Sequence, residues 1–294
     1  MTIISPIFYM GNKKKLINKG LIDLFPSNIN TFIDLFSGSG VVSMNTNAKT
    51  YILNDTDKNL IQLYNIFQDY SAEEIITHIE NRIEEFALPK ERTKRNEYSD
   101  KEKIEEYKAS YVKFRDYYNN TKNPLDLYTL MFFAFSQQFR FNKNNEFNMP
   151  FGNDCFSERN KEYIKNGVEF FSKCNVRICN KSFETLKIDK LNKEDFVYLD
   201  SPYLNTTATY NEGRGQEGRN INSELLMYEL CDNLNSKEIK FGMSNVFHNK
   251  GKEHTSLIEW CNKQGRNVYT FDSHTYSACG KGNSNAKEVF ITNY

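Results

Sequence analysis

Thr31-Phe32-Ile33-Asp34-Leu35-Phe36 is a β-rich run that breaks into Ser37-Gly38-Ser39-Gly40, and Val41-Val42-Ser43-Met44 behind it can open a helix. A strand, a glycine turn and a helix in that order confine the chain to few α/β arrangements. Glycines let a backbone approach a ligand closely, and a helix start offers free N–H groups. A second apolar run, Val197-Tyr198-Leu199, ends in Asp200-Ser201-Pro202-Tyr203. That ending sets a carboxylate, a fixed backbone and an aromatic face at one strand end, a set able to grip an exocyclic amino group on a flat ring. The plain structural alternative is a strand stopping at a proline turn.

Between these two motifs the sequence changes character near residue 70. From Glu73 to Asn120 it is charged and helix-like, with Ile75, Ile76, Ile79, Ile83 and Phe86 at helical spacing and Pro89 closing the run. Asp126 to Phe141 reads as an aromatic, buried helix, followed by a polar turn-rich stretch from Asn142 to Asn148. Beyond residue 175 strands are expected at Val176 to Ile178, Phe196 to Leu199, Ile239 to Met243, Val268 to Phe271 and Glu288 to Thr292. Helices are expected near Ser223 to Leu234 and Glu253 to Lys263. Alternating strands and helices imply a sheet covered on both faces. The expected organisation is a Rossmann-like α/β core, residues 1–70 and 176–294, carrying a mainly helical insertion over 71–175. Gly213 to Asn220 reads as a loop that either closes over a site or lies on the surface.

The chain has 38 basic and 38 acidic residues, so no global field announces a nucleic-acid partner, and any such surface must be a local concentration of Lys and Arg. No apolar run reaches about 18 residues and no signal peptide precedes the first motif, so a soluble, cytoplasmic protein without membrane contact is expected. The six cysteines form no Cys-x-x-Cys pair and are read as reduced thiols, with no metal site expected.

The motifs also have an order: Tyr9-Met10-Gly11-Asn12-Lys13, Phe32 to Gly40, Asn54-Asp55, Arg140 through Pro150-Phe151-Gly152, Asp195 to Leu204, and Ile239 through Asn245. In this order the chain resembles the alpha-type amino-group DNA methyltransferases, the Dam family, over most of its length, and within that family the branch found in T-even bacteriophages. The resemblance implies a seven-stranded sheet with one antiparallel strand, S-adenosylmethionine as cofactor, and double-stranded DNA as partner, with the insertion reading the target sequence. It implies cofactor contacts from Tyr9, Lys13, Asp34, Phe36, Ser37, Gly38, Ser39, Gly40, Asp55, Phe183 and Asp200. Asp55, 21 positions after Asp34, stands where a dinucleotide fold carries its ribose-binding acid, the plainer alternative being a cap on the helix that follows. Lys13 to Lys15 could likewise be an ordinary solvated helix face.

The expected reaction is methylation of adenine N6, with Asp200, Ser201, Pro202 and Tyr203 as the catalytic set. The amino nitrogen is a poor nucleophile because its lone pair is delocalised into the ring. Asp200 and the Ser201 carbonyl accept its two hydrogens, and Tyr203 stacks on the base. A base inside a duplex cannot reach such a pocket and has to be flipped. Phe135, Ser136, Gln138, Arg140 and Asn142 are the expected DNA contacts, Arg140 by a bidentate contact to guanine, with GATC as the expected target. A local basic groove is expected near Lys122, Arg140, Lys143, Arg159 and Lys161.

Three positions depart from the family pattern. Ser201 replaces a proline, Ser182-Phe183 replaces Asp-Phe, and Asn153-Asp154 stands where relatives commonly carry a basic residue. Cytosine-C5 chemistry requires a Pro-Cys nucleophile, and none of the six prolines precedes a cysteine. The remaining alternatives are a cytosine-N4 enzyme, which usually has serine where Asp200 stands, and a catalytically weak DNA-binding relative.

Overall fold

The computed structural model describes residues 2–92, 101–201, 221–249, 252–274 and 285–294. Within these, the strands are β1 (Thr31–Asp34), β2 (Thr50–Asn54), β3 (Asn175–Cys179), β4 (Phe196–Leu199), β5 (Lys240–Asn249), β6 (Lys252–Glu253), β7 (Asn267–His274) and β8 (Asn285–Thr292). They form one sheet in the order β3-β2-β1-β4-β5-β8-β7, with β6 a short addition to β5. The strands from β3 to β5 are parallel, and β8 runs antiparallel to both its neighbours. The seven-strand order with a single reversed strand matches the expectation. Every strand foreseen beyond residue 175 is present, most of them longer than expected.

Chain order runs outward from β1 in one direction through β2 and β3, and in the other through β4 and β5. The junction of β1 and β4 is therefore the switch point of the sheet, where a crevice opens at the carboxyl ends of the strands. Register fixes what lines that crevice. Asp34 pairs with Tyr198 on β4 and with Leu53 on β2, so Phe36, Asp55 and Asp200 all emerge two residues further up at one level.

The helices are α1 (Lys14–Ile17), α2 (Val41–Asn45), α3 (Lys58–Asp69), α4 (Ala72–Phe86), α5 (Lys101–Thr121), α6 (Pro124–Phe133), α7 (Glu158–Lys173), α8 (Ile221–Ser236) and α9 (Thr255–Gln264). Local chemistry sets their starts. Asp57 caps α3 by accepting from the Asn59 N–H, Ser71 and Glu74 form a reciprocal capping box on α4, and Asn123 caps α6 with Pro124 at its first position. Ile75, Ile79 and Ile83 of α4 are buried as their spacing predicts, and Ala87 ends that helix two residues before Pro89.

The apolar stretch after residue 123 is shorter as a helix than expected. α6 stops at Phe133 because Ala134 turns extended and bridges to Phe151, while the Phe135 N–H donates to the Pro150 carbonyl at 2.8 Å. Hydropathy continues through this point, so periodicity alone could not locate the break. The inserted helices share one core with a sheet face. Phe170 of α7 packs edge-on against Tyr51 of β2 at 5.1 Å, and Phe67 of α3 meets both Phe171 and Tyr128 of α6. The opposite face carries a second core, in which Met227, Cys231 and Leu234 of α8 and Leu257 and Trp260 of α9 cover Val197, Leu199, Phe241 and Met243.

Candidate active site

The glycine turn after β1 is held from every side. Gly38 and Gly40 have φ of 52° and 73°, the left-handed region that favours glycine. The Ser37 N–H and hydroxyl both donate to the Asn54 carbonyl at 2.9 and 3.0 Å. The Tyr64 hydroxyl donates to the Gly38 carbonyl at 2.6 Å, and the Ser5 hydroxyl donates to the Ser39 carbonyl at 2.5 Å. A Cβ at Gly38 would stand 3.3 Å from the Tyr9 ring, so this glycine also lets Tyr9 lie against the turn.

Two acids flank the turn in different ways. Asp34 is 1% exposed. Its Oδ2 accepts from the Ser43 hydroxyl at 2.7 Å, and its Oδ1 is buried with no hydrogen-bond partner among the described residues. Burial pushes its carboxyl up to about 7. The Ser43 hydrogen bond and Lys13 oppose that rise, while Asp200 and Asp55 add to it. Asp55 accepts from the Gly38 N–H at 3.1 Å and the Asp57 N–H at 3.0 Å, and burial raises it to about 6. The helix-capping alternative falls on Asp57 and leaves Asp55 to face the turn. A buried acceptor without a donor is costly in an unliganded protein. Asp34 Oδ1 thus fits a cationic group placed beside the glycine turn, and the donor set suits the aminoacyl end of S-adenosylmethionine.

Phe36 and Phe183 form a tilted aromatic pair with centroids 5.6 Å apart, at the side of the crevice where a flat heterocycle could lie. Ser182, in place of the family aspartate, is exposed and its hydroxyl turns back to accept the Glu184 N–H at 3.4 Å. A flat group lying at this end would meet aromatic rings and no carboxylate from position 182. Phe183→Ala is expected to weaken S-adenosylmethionine binding about tenfold, in line with ~1 kcal/mol for an aromatic pair plus lost burial. Calorimetric titration reads it, and an unchanged affinity would remove Phe183 from the cofactor site.

The Lys13 ammonium meets Asp200 Oδ1 at 2.8 Å, with side chains only 8% and 15% exposed, and it also donates to the Gly11 carbonyl at 3.2 Å. Lys13 is thus not part of a solvated face. Its partner is the candidate catalytic carboxylate. Ser201 is buried directly beyond Asp200. Pro202, Tyr203 and the loop Gly213 to Asn220 lie outside the described residues.

The expected DNA-contacting residues cluster on one rigid hairpin. Ser136 and Gln137 both have positive φ, 57° and 53°, in a tight turn that leaves Phe135 41% exposed. Phe135 is therefore not core. Such backbone strain in two successive non-glycine residues persists only where surrounding structure holds it. Here the holding structure is the returning strand, where a Cβ at Gly152 would come within 2.7 Å of the Ala134 carbonyl oxygen. Gln138 is half-buried. Arg140 is exposed and uses two of its five N–H donors on Asn148, at 2.9 Å to Oδ1 and 3.0 Å to the carbonyl. The bridge between Phe141 and Phe147 closes this hairpin. The Asn142 carboxamide is committed to the hairpin's own turn, accepting from the Asn144 and Glu146 N–H groups and donating to the Glu146 carboxylate. Tyr9 links the hairpin to the glycine turn, its ring 5.7 Å from that of Phe139.

Of the residues expected in a basic groove, Lys122 joins the same hairpin by donating to the Asn145 carbonyl at 2.7 Å, and Lys143 is exposed on it. Arg159 lies over the Tyr163 ring. Lys161 is ion-paired with the exposed Glu80 and Glu158. Sequence motifs gave no signal for Ser5 or Tyr64, which hold the glycine turn. Asn54, which also holds it, stood in the Asn54-Asp55 motif without a role of its own, and Ser43, which donates to Asp34, lies one helical turn past the glycine turn, close enough in sequence to be suspected.

Among the described residues, no helix is long and apolar enough to cross a membrane, and no group of three or more His, Cys, Asp or Glu could hold a metal ion. Residues 9–276 match the family of D12 class N6 adenine-specific DNA methyltransferases. The chain is 41% identical to the Type II methyltransferase M.FokI of Planomicrobium okeanokoites and 38% identical to the modification methylase StsI of Streptococcus sanguinis. Each of these matches covers 99% of this chain and 43% of the relative, so the chain spans less than half the length of both. It is 28% identical to a DNA adenine methylase of Haemophilus influenzae over 66% of the chain and 62% of that relative.

Proposed function

The chain belongs to the D12 class of N6 adenine-specific DNA methyltransferases, and from that premise we propose that it transfers a methyl group to N6 of an adenine flipped out of double-stranded DNA. The observation that carries this reading is the placement of Asp200 at the switch point, level with the glycine turn and in contact with Lys13. S-adenosylmethionine supplies an electrophilic methyl group when bound. Tyr9, Asp34, the Ser37 to Gly40 turn, Asp55, Phe36 and Phe183 would hold it, with Asp34 Oδ1 as the acceptor for its ammonium.

The protein's part in the reaction is placement and polarity. Asp200 accepts one N6 hydrogen and the Ser201 carbonyl accepts the other, which draws the nitrogen lone pair out of the ring and fixes its direction. Preorganised acceptors of this kind need little reorganisation as charge develops on the nitrogen. Asp200 then receives the proton released as the new N–C bond forms. In this arrangement Tyr203 covers the face of the base, and Ser201 acts through its backbone, so its side-chain identity matters less than the turn that follows.

The 71–175 segment reads the target. Arg140, braced by Asn148, is presented as a rigid fork, suited to a bidentate contact with guanine O6 and N7. Phe135, lifted clear by the strained Ser136 and Gln137, is shaped to fill the gap left by a flipped base. GATC remains the target assigned to this hairpin. Arg140→Ala is expected to cost ~1–3 kcal/mol of discrimination at one guanine, read as relaxed sequence preference in sequenced methylation products. DNA affinity should fall with a negative slope of log K against log salt, through Lys122, Arg140, Lys143 and Arg159. A flat salt response would exclude this surface.

The direct test is incubation of the protein with labelled S-adenosylmethionine and unmethylated DNA, followed by nucleoside analysis and sequencing of the modified sites. N6-methyladenine in GATC supports the whole proposal. N6-methyladenine elsewhere keeps the chemistry and replaces the target, and N4-methylcytosine would overturn the assignment of Asp200.

A further inference from the structure

Glu288, on the strand next to one edge of the sheet, is a buried carboxylate that no part of the reaction uses. It is 7% exposed on β8, and it belongs to none of the sequence motifs that describe the site. The strand lattice fixes where it points. The Phe290 ring contacts Phe25 at 5.5 Å and Tyr198 at 6.5 Å, so Phe290 and Tyr198 share one face of the sheet, the face covered by the N-terminal segment. Side chains alternate along a strand, so Glu288, two residues before Phe290, is on that same face, as is Asp200, two residues after Tyr198.

β8 runs antiparallel to β5, and β5 runs parallel to β4, so both steps lead toward the same edge of the sheet. By register Asp200 is level with Ser244 and Phe290, and Glu288 stands two residues further toward that edge, level with Val246, on strands separated only by β5. Two strand spacings and two residues of rise put their backbones roughly 12 Å apart. The residue of β5 directly opposite Glu288 is Val246, which offers no hydrogen bond. Lys13 stands at the Asp200 side of this gap. It touches Asp200 at 2.8 Å, and the charges within electrostatic reach of Glu288 are Lys13, Asp200, Lys19 and Lys15. Burial raises the Glu288 carboxyl, Lys13 is the strongest opposing influence, and Asp200 reinforces the rise.

We propose that Glu288 is a positioning residue that shares the Lys13 ammonium with Asp200 and takes it over when the target base arrives. This rests on the adenine-methylating reading of the site. A carboxylate that holds a lysine on one oxygen is a poorer acceptor for the weakly acidic N6 hydrogen. Stripping the lysine away without replacement would leave a buried, unpaired cation, a costly state. Glu288 removes that conflict. The ammonium shifts toward the second carboxylate across Val246, stays neutralised, and frees Asp200 to accept from the base. In the absence of DNA the same ammonium holds Asp200 in place at the mouth of the crevice.

The test is a double-mutant cycle with Lys13 on the full chain, using labelled S-adenosylmethionine and unmethylated DNA. Glu288→Gln is expected to lower kcat about tenfold while leaving cofactor Kd within twofold, and Glu288→Asp should recover most of the loss. In a Lys13→Met background, itself slower, Glu288→Gln should cost less than twofold, because the group it acts through is gone. Equal fractional losses in both backgrounds, a wild-type kcat in Glu288→Gln, or loss of cofactor binding in that variant would each overturn the proposal. A wild-type chain that methylates no adenine would instead overturn the reading beneath it, which keeps the two failures apart.

Discussion

Replacing Asp200 by Ala is expected to slow methyl transfer by about 10³-fold while leaving the affinity for S-adenosylmethionine within about threefold. The two effects separate because Asp200 faces the base, whereas the cofactor's strongest predicted contacts come from Asp34, the glycine turn and the Phe36–Phe183 pair. A third consequence follows from Lys13. With its carboxylate gone, an ammonium whose side chain is 8% exposed loses the ion-pair partner it meets at 2.8 Å. Removing one partner of a buried ion pair costs up to about 3–5 kcal/mol, less the part that Glu288 recovers, and should lower Tm by roughly 5 °C in a chain of this size. Adding Lys13→Met to Asp200→Ala should restore much of that stability and none of the activity. Single-turnover transfer of labelled methyl, calorimetry with the cofactor and thermal melts check the three parts. A variant that keeps more than a tenth of the wild-type rate would mean that Asp200 does not hold the amino group.

The residues of that site differ in how visible they are in the sequence. Asp34 to Gly40 and Asp200 could be read because each sits at the end of a short apolar run, where a strand must stop and expose its next residues. The sheet order could not be read locally, because pairing between β1 and β4 joins residues some 160 positions apart. Asp55 and Asp57 stand two positions apart in the same chemical guise, and only the bonds they make separate the residue facing the glycine turn from the helix cap. Lys13 carries a charge that a linear reading assigns to solvent, yet folding brings it under the carboxyl edge of the sheet. Glu288 is less legible still. In sequence it is one acid in an otherwise ordinary strand, and its neighbours Asp200 and Lys13 reach it through three strands and the N-terminal segment. The end of α6 at Phe133 was hidden for another reason: the residues beyond it stay apolar, and what ends the helix is competition from the Pro150–Gly152 segment for the same backbone groups.

Asp34→Asn is expected to make the unliganded protein more stable at pH 8 and to weaken S-adenosylmethionine binding about 30- to 100-fold, the equivalent of ~2–3 kcal/mol. The stability effect follows from the sign of the shift. Asp34 has its carboxyl raised from 3.8 to about 7 in the folded chain, so the folded state binds the proton more tightly than the unfolded state does. A raised acid stabilises the fold only while protonated, and its contribution is lost as pH climbs from about 4 through 7. At pH 8 the ionised, buried carboxylate carries a penalty on the order of 4 kcal/mol, at about 1.4 kcal/mol per unit. Asparagine removes the charge but leaves an amide group near the same orphaned position, which returns roughly 1–3 kcal/mol of the gain. The net increase should therefore be about 1–3 kcal/mol at pH 8, fall to about zero near pH 5 and become a net loss at lower pH. The penalty is useful in the liganded protein, where a cation beside Oδ1 favours ionisation. Wild-type affinity for the cofactor should rise with pH through 7 and binding should release a proton, and both effects should be absent in Asp34→Asn. Thermal melts at pH 5 and 8, with calorimetry in buffers of different ionisation enthalpy, measure each part. If Asp34→Asn binds the cofactor as tightly as wild type, or melts lower at pH 8, then the buried acid is an element of the core and the cofactor's cation is held elsewhere.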